Sequence, residues 1–312
     1  MCAIFGVLDY KGKLDSSRRV RMVKALGNAA EIRGTDATGI AFFHTGKLCI
    51  QKAPKPAHRM KYHIPAEVQY IMGHTRMTTQ GSADQNQNNH PFPGQVKNCA
   101  FALAHNGVLH NDWDLRRMYQ LPKTNIETDS YVAVQLIERQ KKLSFDSLRK
   151  MAESLEGPFA FSILDQDSNM YFVKGSNPLT IYHYPQLGLY LYASTQEILI
   201  DALKSLRMQK VEHETILPWP GDILRINSCG QVEKAIFAID DPFPTFVPRA
   251  QITSSALQHS RRATQDAQRE YVQAVKSLAV FHGFEAEYVD SLFADGYTVG
   301  EVEDLIYFRR EI

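Results

Sequence analysis

Cysteine is scarce. The 312 residues hold four, at positions 2, 49, 99 and 229, and no two are spaced as CxxC. That spacing excludes a zinc knuckle or a dithiol redox pair. Four scattered thiols in a chain this long fit a reducing compartment better than a disulfide framework. The eleven histidines contain no HExxH or HxxxH pair, so no metal is expected. No apolar run approaches the roughly 18 residues that cross a bilayer, and the start MCAIFGVLDY lacks the basic segment and long apolar core of a secretory leader. A cytoplasmic protein with no membrane partner is the expectation. The net charge of +1 supplies no field to gather nucleic acid, so no nucleic-acid partner is expected either. No internal repeat is evident. What remains is ordinary globular composition, 44% hydrophobic and 22% charged, in a length suited to one large domain with a small appendage.

Apolar stretches of strand length recur through the first 240 residues, at 3–8, 39–43, 48–52, 70–75, 100–105, 159–165, 170–174, 188–193 and 222–227. Turn-rich joints such as 165–169 (DQDSN) make several of them hairpins. Two helical patterns lie between: 16–32, with Val20, Val23, Leu26 and Ala30 on one face, and 130–140, with Val134 and Ile137. Hairpins with blocks of helix read as α+β rather than doubly wound. The three prolines of 240–248 (DDPFPTFVP) end the pattern. The expected organisation is a domain over 2–240, a linker over 241–251 and a helical extension over 252–312. In the last, Ala267, Tyr271, Val275 and Leu278 recur at helical spacing, and Thr298 to Glu301 form a capping box for a final helix.

Cys2 is the first candidate for chemistry. A small residue at position 2 permits removal of Met1, which leaves an α-amine beside a thiol. With reference pKa values of about 7.7–8.0 and about 8.5, the amine is able to take the thiol's proton near neutral pH. Position alone equally fits a small buried residue opening a strand.

The segments that follow are MCAIFGV, RGTDATGI (33–40), GHTRMTTQG (73–81), NNHPF (88–92), HNG (105–107) and TDS (128–130), in that order. Together they resemble class II glutamine amidotransferase domains, the glutaminase domains of the N-terminal nucleophile hydrolases, over roughly residues 2–237. The resemblance implies a four-layer αββα sandwich of two antiparallel sheets, with a small helical C-terminal appendage here. It implies hydrolysis of the glutamine side-chain amide through a Cys2 thioester, with no cofactor. Such a reaction passes through tetrahedral oxyanions, so it needs an oxyanion hole. The family places that hole at the pair corresponding to Asn106 and Gly107; a plain Asn-Gly hairpin turn is the alternative on the residues alone. Arg76 matches the position that clamps the substrate's α-carboxylate, and Asp129 the one that pairs with its α-ammonium, against an ordinary surface ion pair. His74 and Thr78 belong to the same pocket, with Thr75 beside them. Arg33, Gly34 and Asp36 occupy the RGxD position that shapes the loop beside the nucleophile. His90 matches a family motif, but a structural loop histidine explains it as well.

The chain departs from the usual GHTRWATHG at Met77, in place of a tryptophan that gates ammonia in one member, and at Gln80 in place of a histidine. Thr35 stands for the usual proline, Tyr131 for a common glutamate, and the stretch 193–196 (ASTQ) matches only partly. None of these removes a group that touches the reacting amide. The residues beyond the linker are too few for an acceptor enzyme, so ammonia is expected to pass to a separate ligase or synthetase. Two other readings stand beside this one: an amidohydrolase for another γ-glutamyl compound, and a silent glutamine-binding scaffold.

Overall fold

Strand β1 (Ala3–Asp9) sets the plan, because it is buried on both faces along its whole length. Ala3, Phe5 and Val7 join one apolar cluster, while Ile4 and Leu8 point into another. That is period-two alternation with no wet face, so a layer must cover each side. The structure, a computed structural model, describes residues 2–97, 99–239, 272, 273, 275, 276, 279, 280, 284–294 and 302.

β1 lies inside a seven-stranded sheet of order β11-β9-β10-β1-β4-β2-β3. Its other strands are β2 (Ala37–His44), β3 (Lys47–Ala53), β4 (Tyr70–Arg76), β9 (Thr180–Tyr184), β10 (Leu189–Ala193) and β11 (Glu214–Ile216). The second sheet runs β13-β12-β8-β7-β6-β5. It comprises β5 (Phe92–Val96), β6 (Cys99–Gly107), β7 (Phe159–Asp165), β8 (Met170–Lys174), β12 (Asp222–Ile226) and β13 (Val232–Ile236). Neighbouring strands pair antiparallel, for example Ala3 with Thr75 across β1 and β4, and Asn106 with Ala160 across β6 and β7.

Three apolar clusters define four layers. Helices α1 (Ser16–Ala30) and α5 (Gln196–Leu206) pack Met22, Val23, Leu26, Leu199 and Leu203 on the outer face of the first sheet. Helices α2 (Asp112–Met118), α3 (Tyr131–Arg139) and α4 (Phe145–Glu153) cover the second with Leu115, Val134, Ile137, Leu148 and Met151. Between the sheets lie Ile4, Met72, Ala102, Ala160, Phe172 and Tyr192. The expected αββα sandwich is therefore what the chain forms. Truncating one of the buried aromatics, such as Phe5, costs roughly 3–5 kcal/mol.

All nine expected strands form, with ends shifted by at most two residues. β5, β9, β11 and β13 were not read from the sequence. β5 contains Pro93 and Gly94, and β11 is three residues long, so neither has the pattern of a strand. Helices α2, α4 and α5 were missed also. The helix expected over 16–32 ends at Ala30, because the chain turns there into the loop of Arg33 and Gly34. On its inner face Arg19 is buried against Asp9 while Val20 is only half-buried, which corrects the expected stripe.

The linker at 241–251 and the capping box at 298–301 fall outside the described residues, as do Ala267, Tyr271 and Leu278. Among those described, helix α6 (Ala286–Ala294) lies in the expected extension. Val275, Ala279, Val289, Leu292 and Val302 form a small buried cluster that packs with Leu217, next to β11.

Candidate active site

Cys2 stands just before β1, and the sheet register carries its surroundings. Ala3 faces Thr75, so the thiol comes beside the far end of β4, and Cys2 Sγ donates to the Met77 carbonyl at 3.4 Å. The thiol is half-buried. Burial pushes its pKa up, against the opposing pull of the Met77 backbone and the Arg76 charge; the negative charge of Asp129 also raises it. Burial thus disfavours the thiolate relative to a free cysteine.

The loop between α1 and β2 braces Cys2 from behind. Arg33 Nε donates to the Cys2 carbonyl at 2.9 Å. Gly34 lies so close to β4 that a Cβ there would meet the Arg76 carbonyl carbon at 2.5 Å and the Met77 nitrogen at 2.6 Å. Only glycine permits that approach. The Asp36 N–H donates to the Arg76 carbonyl at 2.9 Å, and the Asp36 carboxylate accepts the Thr78 N–H at 2.8 Å. The loop thus grips residues 76–78 from both sides. Thr78 itself is exposed and, like Met77, lies on the rim.

Arg76 closes β4 and is buried. Its Nη1 donates to Asn89 Oδ1 at 2.7 Å, and Nη2 donates to the Gln80 carbonyl at 2.5 Å and the Gly81 carbonyl at 3.0 Å. The fork organises the loop that follows it. A second cation, Lys52 on β3, donates to the Asn89 carbonyl at 2.6 Å; burial, and then the charge of Arg76, lower its pKa to about 8. Asp129 is buried beside α3, and burial raises its pKa although the Leu109 N–H donates to it at 2.6 Å.

Asn106 and Gly107 form the end of β6 rather than a hairpin turn. Gly107 has φ +149°, and a Cβ on it would sit 2.0 Å from the Pro158 carbonyl oxygen, so the position admits glycine alone. The Asn106 side chain is 0% exposed, and neither its Oδ1 nor its Nδ2 has a hydrogen-bond partner among the described residues. Its own carbonyl accepts Asn177 Nδ2 at 2.9 Å. A buried amide left unpaired costs about 1–3 kcal/mol, which makes Asn106 a candidate to bind a ligand.

Three histidines line up beneath. His74 Nε2 donates to the His105 carbonyl at 2.9 Å, and His90 packs on the His74 ring at 4.2 Å between centroids. Burial holds His74 and His105 neutral, with pKa values lowered to about 3, and lowers His90 well below its ordinary value. Both ring nitrogens of His90 are unpartnered among the described residues. No group of three described His, Cys, Asp or Glu residues is arranged to hold a metal ion.

Every site residue read from the sequence comes to this one end of the sandwich. Cys2, Arg33, Gly34, Asp36, Arg76 and Thr78 are joined by direct contacts. His74 connects β4 to His105, and so to Asn106 and Gly107. Asp129 accepts the Leu109 N–H, two residues past the end of the same strand. Sequence reasoning gave no role to Asn89, His105, Ser130, Asn177 or Lys52. The motifs NNHP, HNG and TDS contain the first three, whereas nothing in the local sequence marks Asn177 or Lys52.

Known proteins are similar to this chain in sequence and in fold. Residues 74–201 match the family model described as a glutamine amidotransferase domain. The glutamine–fructose-6-phosphate aminotransferase (isomerizing) of Chlamydia trachomatis is 31% identical over 176 residues, covering 54% of this chain and 27% of that protein. The Staphylococcus epidermidis enzyme of the same name is 30% identical over 190 residues, covering 58% of this chain and 30% of that protein. The chain thus spans less than a third of the length of these relatives. The solved structure of the glutamine phosphoribosylpyrophosphate amidotransferase from B. subtilis shares the fold, with a TM-score of 0.59 at 21% identity over 77% of this chain and 50% of that one. Over residues 74–201 this chain matches a glutamine amidotransferase domain, and its fold of two antiparallel sheets with helices is similar to that of a solved amidotransferase structure.

Proposed function

We propose that the chain hydrolyses the side-chain amide of glutamine and passes the ammonia to a separate acceptor enzyme. The observation that carries this reading is the buried, unpartnered amide of Asn106 beside Gly107, at the same end of the sandwich as a thiol with a raised pKa.

In this reading Met1 is removed and the freed α-amine of Cys2 takes the thiol proton. The sulfur attacks the amide carbon, and the oxyanion that forms is held by Asn106 Nδ2 and the Gly107 N–H. Ammonia leaves with the proton returned by the amine, and water then attacks the thioester to release glutamate. Losing one oxyanion donor costs about 10²–10³-fold in turnover. Asp129 takes the substrate's ammonium in its charged form. Arg76 supplies positive charge for the α-carboxylate, which displaces the carbonyls of Gln80 and Gly81, because a charged acceptor binds the guanidinium more strongly than a carbonyl does. Arg33, Gly34 and Asp36 hold the nucleophile and residues 76–78 in place.

No described helix is long and apolar enough to cross a membrane.

The test is glutamate release from glutamine by protein whose mass shows that Met1 is gone, beside Cys2→Ala. The reading expects glutamate from the first and none from the second. Equal release by both removes Cys2 as the nucleophile.

A further inference from the structure

The glutaminase reading leaves His105 without a task, and its surroundings supply one. It is buried, and its ring stacks on Phe161 with centroids 4.5 Å apart. Its Nδ1 shares a hydrogen bond with Ser130 Oγ at 2.8 Å, and that hydroxyl donates to Asp129 Oδ1 at 3.2 Å. The other oxygen of Asp129 accepts the Leu109 N–H at 2.6 Å. Two paths therefore join Asp129 to the end of β6. One runs through Ser130 and the imidazole to the residue before Asn106. The other enters the backbone two residues after Gly107. The imidazole also underlies Gly107, since its Nε2 lies 2.6 Å from where a Cβ on that residue would stand. From the opposite sheet, His74 Nε2 fixes the His105 carbonyl.

We propose that His105 is a positioning residue: through Ser130 it couples recognition of the substrate's ammonium at Asp129 to the alignment of the oxyanion donors Asn106 and Gly107. This rests on the glutaminase reading. Its consequence is specificity in turnover. An amide without an α-amine leaves Asp129 unengaged and the donors unaligned, so it reacts slowly even when it reaches Cys2.

The test compares His105→Leu, His105→Asn, Ser130→Ala and the double variant His105→Leu/Ser130→Ala. Two readouts are taken: glutamine kinetics, and covalent labelling of Cys2. A diazoketone analogue of glutamine as label needs both the amino-acid head and the oxyanion donors, whereas iodoacetamide needs neither. His105→Leu is expected to lower kcat roughly 10- to 100-fold with little change in KM, in the range of a misplaced or lost catalytic donor. It slows diazoketone labelling in step, while iodoacetamide labelling stays as in the wild type. The amide of His105→Asn reaches the place of Nδ1 and restores most of the rate. Ser130→Ala matches His105→Leu, and the double variant is no worse than either, as expected for two members of one chain of contacts.

Three results overturn the proposal: losses that multiply in the double variant, an Asn variant no better than Leu, or iodoacetamide labelling that falls along with the diazoketone. A wild type that releases no glutamate and takes no diazoketone sinks the glutaminase reading and this inference together. An active wild type with indifferent variants sinks the inference alone.

Discussion

The two ends of β1 carry buried polar clusters of opposite character. At its C-terminal end, Asp9 is fully buried and its carboxylate accepts the N–H groups of Lys13 and Leu14 and the guanidinium of Arg19. Close by, Tyr10 Oη meets His183 Nε2 at 3.0 Å, and His183 Nδ1 meets Glu214 Oε2 at 2.9 Å. Tyr70 and Tyr190 donate to the carbonyls of Asn227 and Gly230. Each of these side chains has found a partner within the protein. Near the N-terminal end, His74, His90, His105 and Asn106 contribute six of the fourteen buried side-chain atoms without a partner among the described residues. A folded chain tolerates such atoms where something else completes them. One end of the strand is held together by its polar groups, and the other leaves several of them without a partner among the described residues.

Substitutions at the two ends should therefore divide cleanly between activity and stability. The largest effect is Cys2→Ala, expected to abolish glutamate release while leaving the melting temperature unchanged; activity and thermal melts on one preparation read both. Next is Asn106→Ala, with turnover down about 10²–10³-fold. Its stability should be unchanged or slightly raised, because it removes an amide that bonds to none of the described residues; a large fall in denaturation midpoint would show that the amide is structural. The converse is Asp9→Ala, which strands a buried guanidinium and should cost about 3–5 kcal/mol in urea denaturation. Its kcat and KM should be those of the wild type at temperatures where it is folded.

pH sharpens the same contrast. His74 and His105 have pKa values lowered to about 3 from the ordinary 6.5. Below 6.5 the unfolded chain therefore binds protons that the native state refuses, and stability falls as pH drops from about 6.5 toward 3, with no contribution from these groups above that window. Denaturation midpoints across that range measure it, and a flat profile would contradict the buried neutral stack. The smallest effect is Arg76→Lys, expected chiefly to raise the glutamine KM, because a point charge replaces the fork; an unchanged KM removes the carboxylate role.

Much of this site is legible in the sequence because its backbone-critical residues are of restricted type. Gly34 and Gly107 stand where a Cβ is excluded, and Cys2, Arg76 and Asp129 lie in segments with recognisable neighbours. The strands that were read alternate or run apolar; among those missed, β5, with its proline and glycine, is a strand only because β6 pairs with it. Asn177 and Lys52 went unread for a related reason. Their roles come from the close approach of distant segments, Asn177 to Asn106 and Lys52 to Asn89, and no local pattern records a contact made across 71 or 37 residues.

The most direct test of the central claim is acid quenching of the enzyme during glutamine turnover, followed by mass analysis of the N-terminal peptide. The account predicts a glutamyl thioester on a peptide that begins with Cys2, absent from Cys2→Ala. Glutamate production with no such adduct, and with the variant still active, would contradict it.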